Sequence, residues 1–200
     1  RWTPDGENLR CLSAKVLRLR QLTEMRAAEM NRRRLVKDEQ VLASITQVIA
    51  LFSREIKALE ASIAALITAD PVWSKLNVAF RTIKGVADRT VARLMADLPE
   101  IGTLSSKAVA KLVGLAPMAR DSGKSTGKRP VRGGRSSVRD ILFLVASITA
   151  KYDPELKAFY ERLTKAGKPK KVVLIAVARK LLVRLNAKAR EVLTKTPLCA

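Results

Sequence analysis

From residue 7 to residue 70 this chain contains neither glycine nor proline. That run limits the local structure more than any other feature of the sequence. The two residues that most readily stop a helix are missing, and apolar side chains recur at helical spacing. Val41, Ile45, Val48, Phe52, Ile56, Leu59, Ile63 and Leu66 follow one another at intervals of three and four, which draws one stripe along a helix, whereas a half-buried strand alternates with period two. The earlier part of the run is more polar: Leu9, Leu12, Val16, Leu19 and Leu22 share one side, with Arg18, Arg20, Glu24, Arg26 and Glu29 filling the rest. The spacing predicts a long helical hairpin over residues 1–70, turning between residues 31 and 38, with its stripes packed as a coiled coil. Periodicity does not separate a seam within one chain from a seam between two, so both stay open. Arg32, Arg33 and Arg34 likewise read either as a contact to nucleic acid or as a solvated helix end.

Asp70-Pro71 opens a second unit over residues 71–200, because proline suits the first position of a helix and aspartate the position before it. Short helices are expected from there on: one ending near Leu98-Pro99, one over residues 107–115, one through the apolar run 141–146, one after Asp153-Pro154, and a last long one over residues 170–193. The 141–146 run is apolar almost all round, which predicts burial on every side. No stretch alternates as a strand would, so the fold class is all-α. Around Gly85, the order Thr82-Ile83-Lys84-Gly85-Val86-Ala87-Asp88 resembles a helix-hairpin-helix element, whose glycine turn points backbone N–H groups at a DNA phosphate. Ala87 stands where that element usually has a second glycine. A purely structural corner is the competing reading.

Residues 116–135 cannot be a helix or a regular strand, since Gly123, Gly127, Gly133, Gly134, Pro117 and Pro130 punctuate them too often. Glycines let backbone N–H groups approach an anion closely. Arg120, Lys124, Lys128, Arg129, Arg132 and Arg135, with Arg139 just beyond, supply the charge that holds one. Ser122 presents a hydroxyl at the start of this glycine-rich basic segment. By itself, a serine there reads most simply as a turn residue beside an anion site.

The whole chain points to the same kind of partner. Its 39 lysines and arginines against 18 acidic residues give a formal net charge of +21, which implies a polyanion such as nucleic acid or an anionic membrane surface. Membrane is the weaker option, for the chain has no apolar run of roughly 18 residues and its first residues lack the apolar core of a signal peptide. The chain contains no histidine, which removes a Ser-His-Asp triad and histidine-ligated zinc. Cys11 and Cys199 lie at opposite ends and form neither a disulfide framework nor a zinc motif. The acidic residues after Pro71 show no spacing that gathers them round a pair of metal ions. A cytoplasmic nucleic-acid-binding protein is the expectation. The chain begins with arginine, which reads as a piece of something longer.

The run 71–190 resembles the C-terminal transposase domain of the insertion-sequence 110 family. The resemblance rests on Ala116-Pro117, Asp121-Ser122-Gly123, Gly127, Gly133-Gly134, Arg139 and Leu142, then Pro154, Phe159-Tyr160, Leu163, Gly167-Lys168, Lys171 and Arg179-Lys180-Leu181-Leu182. Leu19-Arg20-Gln21-Leu22 and Asn31-Arg32 are similar to the family's coiled-coil segment. The resemblance implies a DNA transposase or site-specific recombinase in which Ser122 is the nucleophile and forms a phosphoserine link to DNA. It also implies guidance by an element-encoded RNA and assembly as a homo-oligomer. Magnesium is expected only through carboxylates of an N-terminal RuvC-like domain, which this sequence does not contain; no cofactor is expected within the chain itself. Activation of Ser122 then has to come from lysine, arginine or groups of that domain, and the chain alone is expected to bind nucleic acid without full activity. Two other classes compete: a non-catalytic basic DNA- or RNA-binding module, and a structural protein that uses only the coiled coil.

Overall fold

A computed structural model describes residues 6–118 and 130–195. Among these, eight helices account for nearly all regular structure, and the one β feature is an isolated bridge between Pro117 and Val131. The fold is all-α. The chain divides into two compact units, Arg1–Asp70 and Pro71–Ala200.

The first unit is a hairpin of α1 (Glu7–Arg33) and α2 (Glu39–Ala69). Asp38 caps α2 by accepting a hydrogen bond from the Val41 amide at 2.9 Å, which satisfies one of the donors that a helix start leaves open. The two helices pack on each other within one chain, burying Leu12, Val16, Leu19 and Leu22 of α1 and Ile45, Ile56, Ile63 and Ile67 of α2. Lys15 donates to the Ser62 hydroxyl, which fixes an antiparallel register. In that register Val41 lies opposite the turn, where α1 has ended. It is 46% exposed, although the sequence stripe includes it.

The second unit is built round α8 (Lys170–Lys195), which packs against α3 (Pro71–Arg81), α5 (Ser106–Val113), α6 (Ser136–Tyr152) and α7 (Pro154–Lys165). The remaining helix, α4 (Asp88–Asp97), contacts α3 and α6. Val173, Val177, Leu181, Leu185 and their neighbours Ala178, Leu182 and Ala189 are fully buried on α8. Each such leucine or valine contributes about 1.5–3 kcal/mol of burial. The core of this unit is therefore the wide face of one helix.

Two polar joints secure the loops against that helix. Buried Asp153 caps α7 through the Leu156 amide and accepts from Arg184 of α8 at 2.9 Å. Asn186, also buried, accepts from the Gly102 amide at 2.8 Å and donates to the Leu104 carbonyl at 2.9 Å. Arg190 adds a 2.7 Å bond to that same carbonyl. Gly102 has φ +92°, and a Cβ there would press on Leu193 and Ala189 of α8. A backbone this close to the helix, in this conformation, requires glycine.

Burial of the 141–146 run is one-sided rather than complete. Leu142, Val145 and Ala146 are buried, but Leu144 is 58% exposed, and Ile148 and Tyr152 extend the same open row. These residues stand four apart, on the stripe of α6 that its neighbours leave uncovered.

Asn186→Ala removes both bonds to the loop over residues 102–104 and leaves a buried N–H without a partner. The expected loss is about 2 kcal/mol, read as a lower urea midpoint with unchanged slope. An unchanged midpoint would mean that this joint does not hold the loop.

Candidate nucleic-acid interface

The residues flanking the glycine-rich basic segment are described on both sides, and they form a closed root. Gly114 ends α5 in the left-handed region at φ +75°. Pro117 pairs with Val131, and the Met118 amide donates to the Pro130 carbonyl at 3.0 Å. Gly133 and Gly134 both have positive φ, and a Cβ on Gly134 would sit within 3 Å of backbone atoms of Val113 and Gly114. The two strands of chain therefore enter and leave side by side against the end of α5, at a spacing that admits no side chain at Gly114 or Gly134.

Two arginines lock this root from the side. Arg135 forks both terminal nitrogens onto Glu100 at 2.6 Å each and donates to the Asp97 carbonyl at 3.0 Å. Such bidentate pairs fix geometry as well as supplying energy. Hydrogen bonding to Arg135 holds the Glu100 carboxyl below its ordinary pKa, against the opposing effect of burial, and Glu100 in turn raises that of Arg135. Arg139 reaches back to the Gly133 carbonyl at 2.6 Å. Both had been expected from sequence as anion ligands; in the structure their guanidinium groups also position the segment's exit.

The other expected site residues divide sharply. Arg132 is exposed between the two halves of the root. Ser122, Arg120, Lys124, Lys128 and Arg129 lie outside the described residues. Gly85 is half-buried at φ +99°, and a Cβ would meet Ile148 and Thr149 of α6 at 3.1 Å. Its conformation thus serves a close approach between the α3–α4 turn and α6. At the start of α4, Asp88 pairs with Arg81 at 3.2 Å, so a carboxylate already sits where helix N–H groups favour an anion.

Between the root and the first turns of α8 lies a cavity of about 440 Å³, with apolar walls from both and with Lys171 and Arg179 among its lining residues. Sequence reasoning did not find it, because its walls are at least forty residues apart in the chain. It also missed Glu100 and Asn186. Asn186 carried one signal, a polar residue interrupting the apolar face that includes Leu182, Leu185 and Ala189. Among the described residues no three of Asp, Glu or Cys stand together as a metal site, and no helix is long and apolar enough to cross a membrane.

The Glu100 carboxyl is depressed in the folded state, so its contribution is present above the ordinary value of 4.5 and fades as pH falls through the lower folded value. Glu100→Gln should cost about 1 kcal/mol at pH 7, a modest figure because the pair is about one-third exposed. The gap between variant and parent should narrow at a pH low enough to protonate the Glu100 carboxyl, below its depressed value, where both side chains are neutral. Urea midpoints at the two pH values check this; a gap that is the same at both would assign the effect to packing.

Comparison with known proteins bears on this unit first. The sequence model described as "Transposase IS116/IS110/IS902 family" matches residues 77–161, which run from α3 through the root into α7. A 43.6 kDa protein of insertion element IS110 from Streptomyces coelicolor is 30% identical over 76% of this chain and 37% of its own length. The pilin gene-inverting protein of Moraxella bovis is 29% identical over 95% of this chain and 60% of its own length. A 42 kDa protein of insertion element IS900 from Mycobacterium paratuberculosis is 36% identical over 44% of this chain and 22% of its own length. The chain thus spans less than two thirds of these curated relatives. The family's domain model is matched across the root and a relative aligns along both units, so residues 77–161 are similar to the domain of the IS116/IS110/IS902 transposase family.

Proposed function

We propose that this chain is the DNA-binding and strand-transferring part of an insertion-element recombinase, with Ser122 as its nucleophile. The observation that carries the reading is the closed root. Two glycines, a backbone pairing and two arginine locks hold both ends of one segment. That segment carries Ser122 together with Arg120, Lys124, Lys128 and Arg129. A reactive hydroxyl among cations gains most when its loop is fixed to a rigid body. The name of the Moraxella relative supports the same chemistry, since inverting a gene requires DNA strands to be cut and rejoined.

In the proposed step the Ser122 Oγ attacks phosphorus. The Oγ–P bond forms as the bond from phosphorus to one deoxyribose oxygen breaks, and a strand hydroxyl later reverses the exchange. Arg120, Lys124 and Lys128 neutralise the charge that builds on the phosphoryl oxygens. The serine proton passes to a neutral lysine or to a group of a preceding RuvC-like domain, as the chain has no histidine, and the departing deoxyribose oxygen takes up a proton from a lysine ammonium or water to leave as a hydroxyl. The described residues do not fit a magnesium ion, and no step here runs through one. Arg132, Arg139 and Gly85 belong to the proposed DNA surface, with a guide RNA as a further partner. Self-association is proposed through the hairpin, on which Leu17, Met25, Val41 and Leu51 remain exposed outside the seam.

Ser122→Ala removes the oxygen and none of the charge. In a polypeptide extended with the N-terminal segment of a longer relative, with magnesium and guide RNA, the parent should form a protein–DNA adduct that survives denaturation. The variant should form none, while binding duplex DNA with a log affinity–log salt slope still near −5, the value expected for about six neutralised phosphates. An adduct that persists in the variant moves the nucleophile elsewhere. Binding with no adduct in either protein leaves a non-catalytic module.

Sedimentation velocity checks the association. A concentration-dependent dimer or larger species is expected; a monomer at tens of micromolar would remove the hairpin from this role.

A further inference from the structure

The cavity beside the root has a composition that the strand-transfer step does not use. Pro117, Pro130 and Val131 form one wall, and Val172 and Ile175 of α8 face them. Lys171 and Arg179 stand one turn before and one turn after Ile175 on the same stripe of the helix. Among the described residues neither forms an ion pair. No other lining side chain carries a hydrogen-bonding group. The volume of about 440 Å³ falls within the range of roughly 300–1,000 Å³ typical of small-molecule sites. An apolar slot flanked by two cations fits a flat apolar ring with a phosphate on either side.

Residues 119–129 contain no side chain that could fill such a slot, being Ala, Asp, Gly, Ser, Thr, Lys and Arg only. A protein partner is disfavoured by the charge, for the site shows cations on a chain of net +21. The geometry points to one unpaired DNA base seated in this cavity, with Lys171 and Arg179 on its flanking phosphates. The inference rests on the recombinase reading and adds to it a seat for a nucleotide at the root that Pro117, Pro130 and Val131 build. A base inside a duplex cannot enter without leaving its stack, so paired DNA gains nothing from the slot. With no donor or acceptor to read the base edge, the site selects for the presence of a base and not for its identity.

Fluorescence anisotropy on four probes tests this: a DNA duplex with one unpaired thymine, the same duplex with an abasic residue there, the fully paired duplex, and an RNA duplex with one unpaired uracil. The thymine probe should bind about tenfold tighter than the abasic one, and adenine in its place should behave alike. Ala176→Leu, which fills the cavity without altering charge, should bring that ratio to about one. Val172→Asn, at a position already 54% exposed, should reduce the ratio by making one apolar wall polar, which keeps the test open if the leucine variant loses its helical circular dichroism. Lys171→Gln with Arg179→Gln should lower the salt slope by about two. Equal binding of thymine and abasic probes, a preference confined to RNA, or a tenfold ratio that survives the folded cavity variants would overturn the inference while leaving the recombinase reading intact. Failure to bind any of the DNA probes would overturn both.

Discussion

The second unit depends on a helix whose wide apolar face is buried against four others. Such a helix is stable only if the polar backbone brought against it finds partners. On α8 that demand is met in its C-terminal half by side chains of the helix itself. Arg184 meets the capping aspartate of α7, and Asn186 with Arg190 satisfies the loop over residues 102–104. An apolar residue in place of Asn186 would suit the core and strand the loop. The same loop leads from Glu100, so the clamp on α8 also places the carboxylate that receives Arg135. The root of the basic segment is in this way tied, through one ion pair and one short loop, to the centre of the unit.

This arrangement separates two uses of positive charge. Arg135, Arg139, Arg184 and Arg190 are engaged with carboxylates or carbonyls and fix the shape of the unit. Arg132, Lys171 and Arg179 line the exposed side of the root or its cavity and meet no carboxylate among the described residues. Composition alone treats these groups as one pool. Guanidinium suits the structural use because its planar fork matches a carboxylate or a pair of carbonyls.

The sequence was most legible where one period dominates and contacts are local. The apolar spacing of α2 foretold Ile45, Ile56 and Ile63 in the seam, and Asp153-Pro154 foretold the start of α7. It was least legible where distant segments meet. Nothing near Arg135 indicates that Glu100 is its partner, and nothing near Val172 indicates that Pro117 and Pro130 form the opposite wall. Nothing in the sequence marks Arg184 or Arg190 as the partners of a buried aspartate and of loop carbonyls. Leu144 was read as buried because its neighbours are apolar, yet burial follows what packs against a face and not the composition of the face. Gly85 was singled out for an anion, and its positive φ and near contact with Thr149 add a second reason for glycine that the sequence did not show.

The mutual contact of Gly114 with Gly133 and of Gly134 with Val113 has a consequence for how this segment can change over evolutionary time. A side chain at either close-packed glycine would drive the two chain ends apart, so those positions tolerate no drift. The separation at which the chain leaves Met118 and returns at Pro130 is therefore fixed from below, by two glycines and one backbone pairing. Those two positions act as a gauge for the root: a change at either is felt first in the distance between the chain ends, before it is felt in the helices.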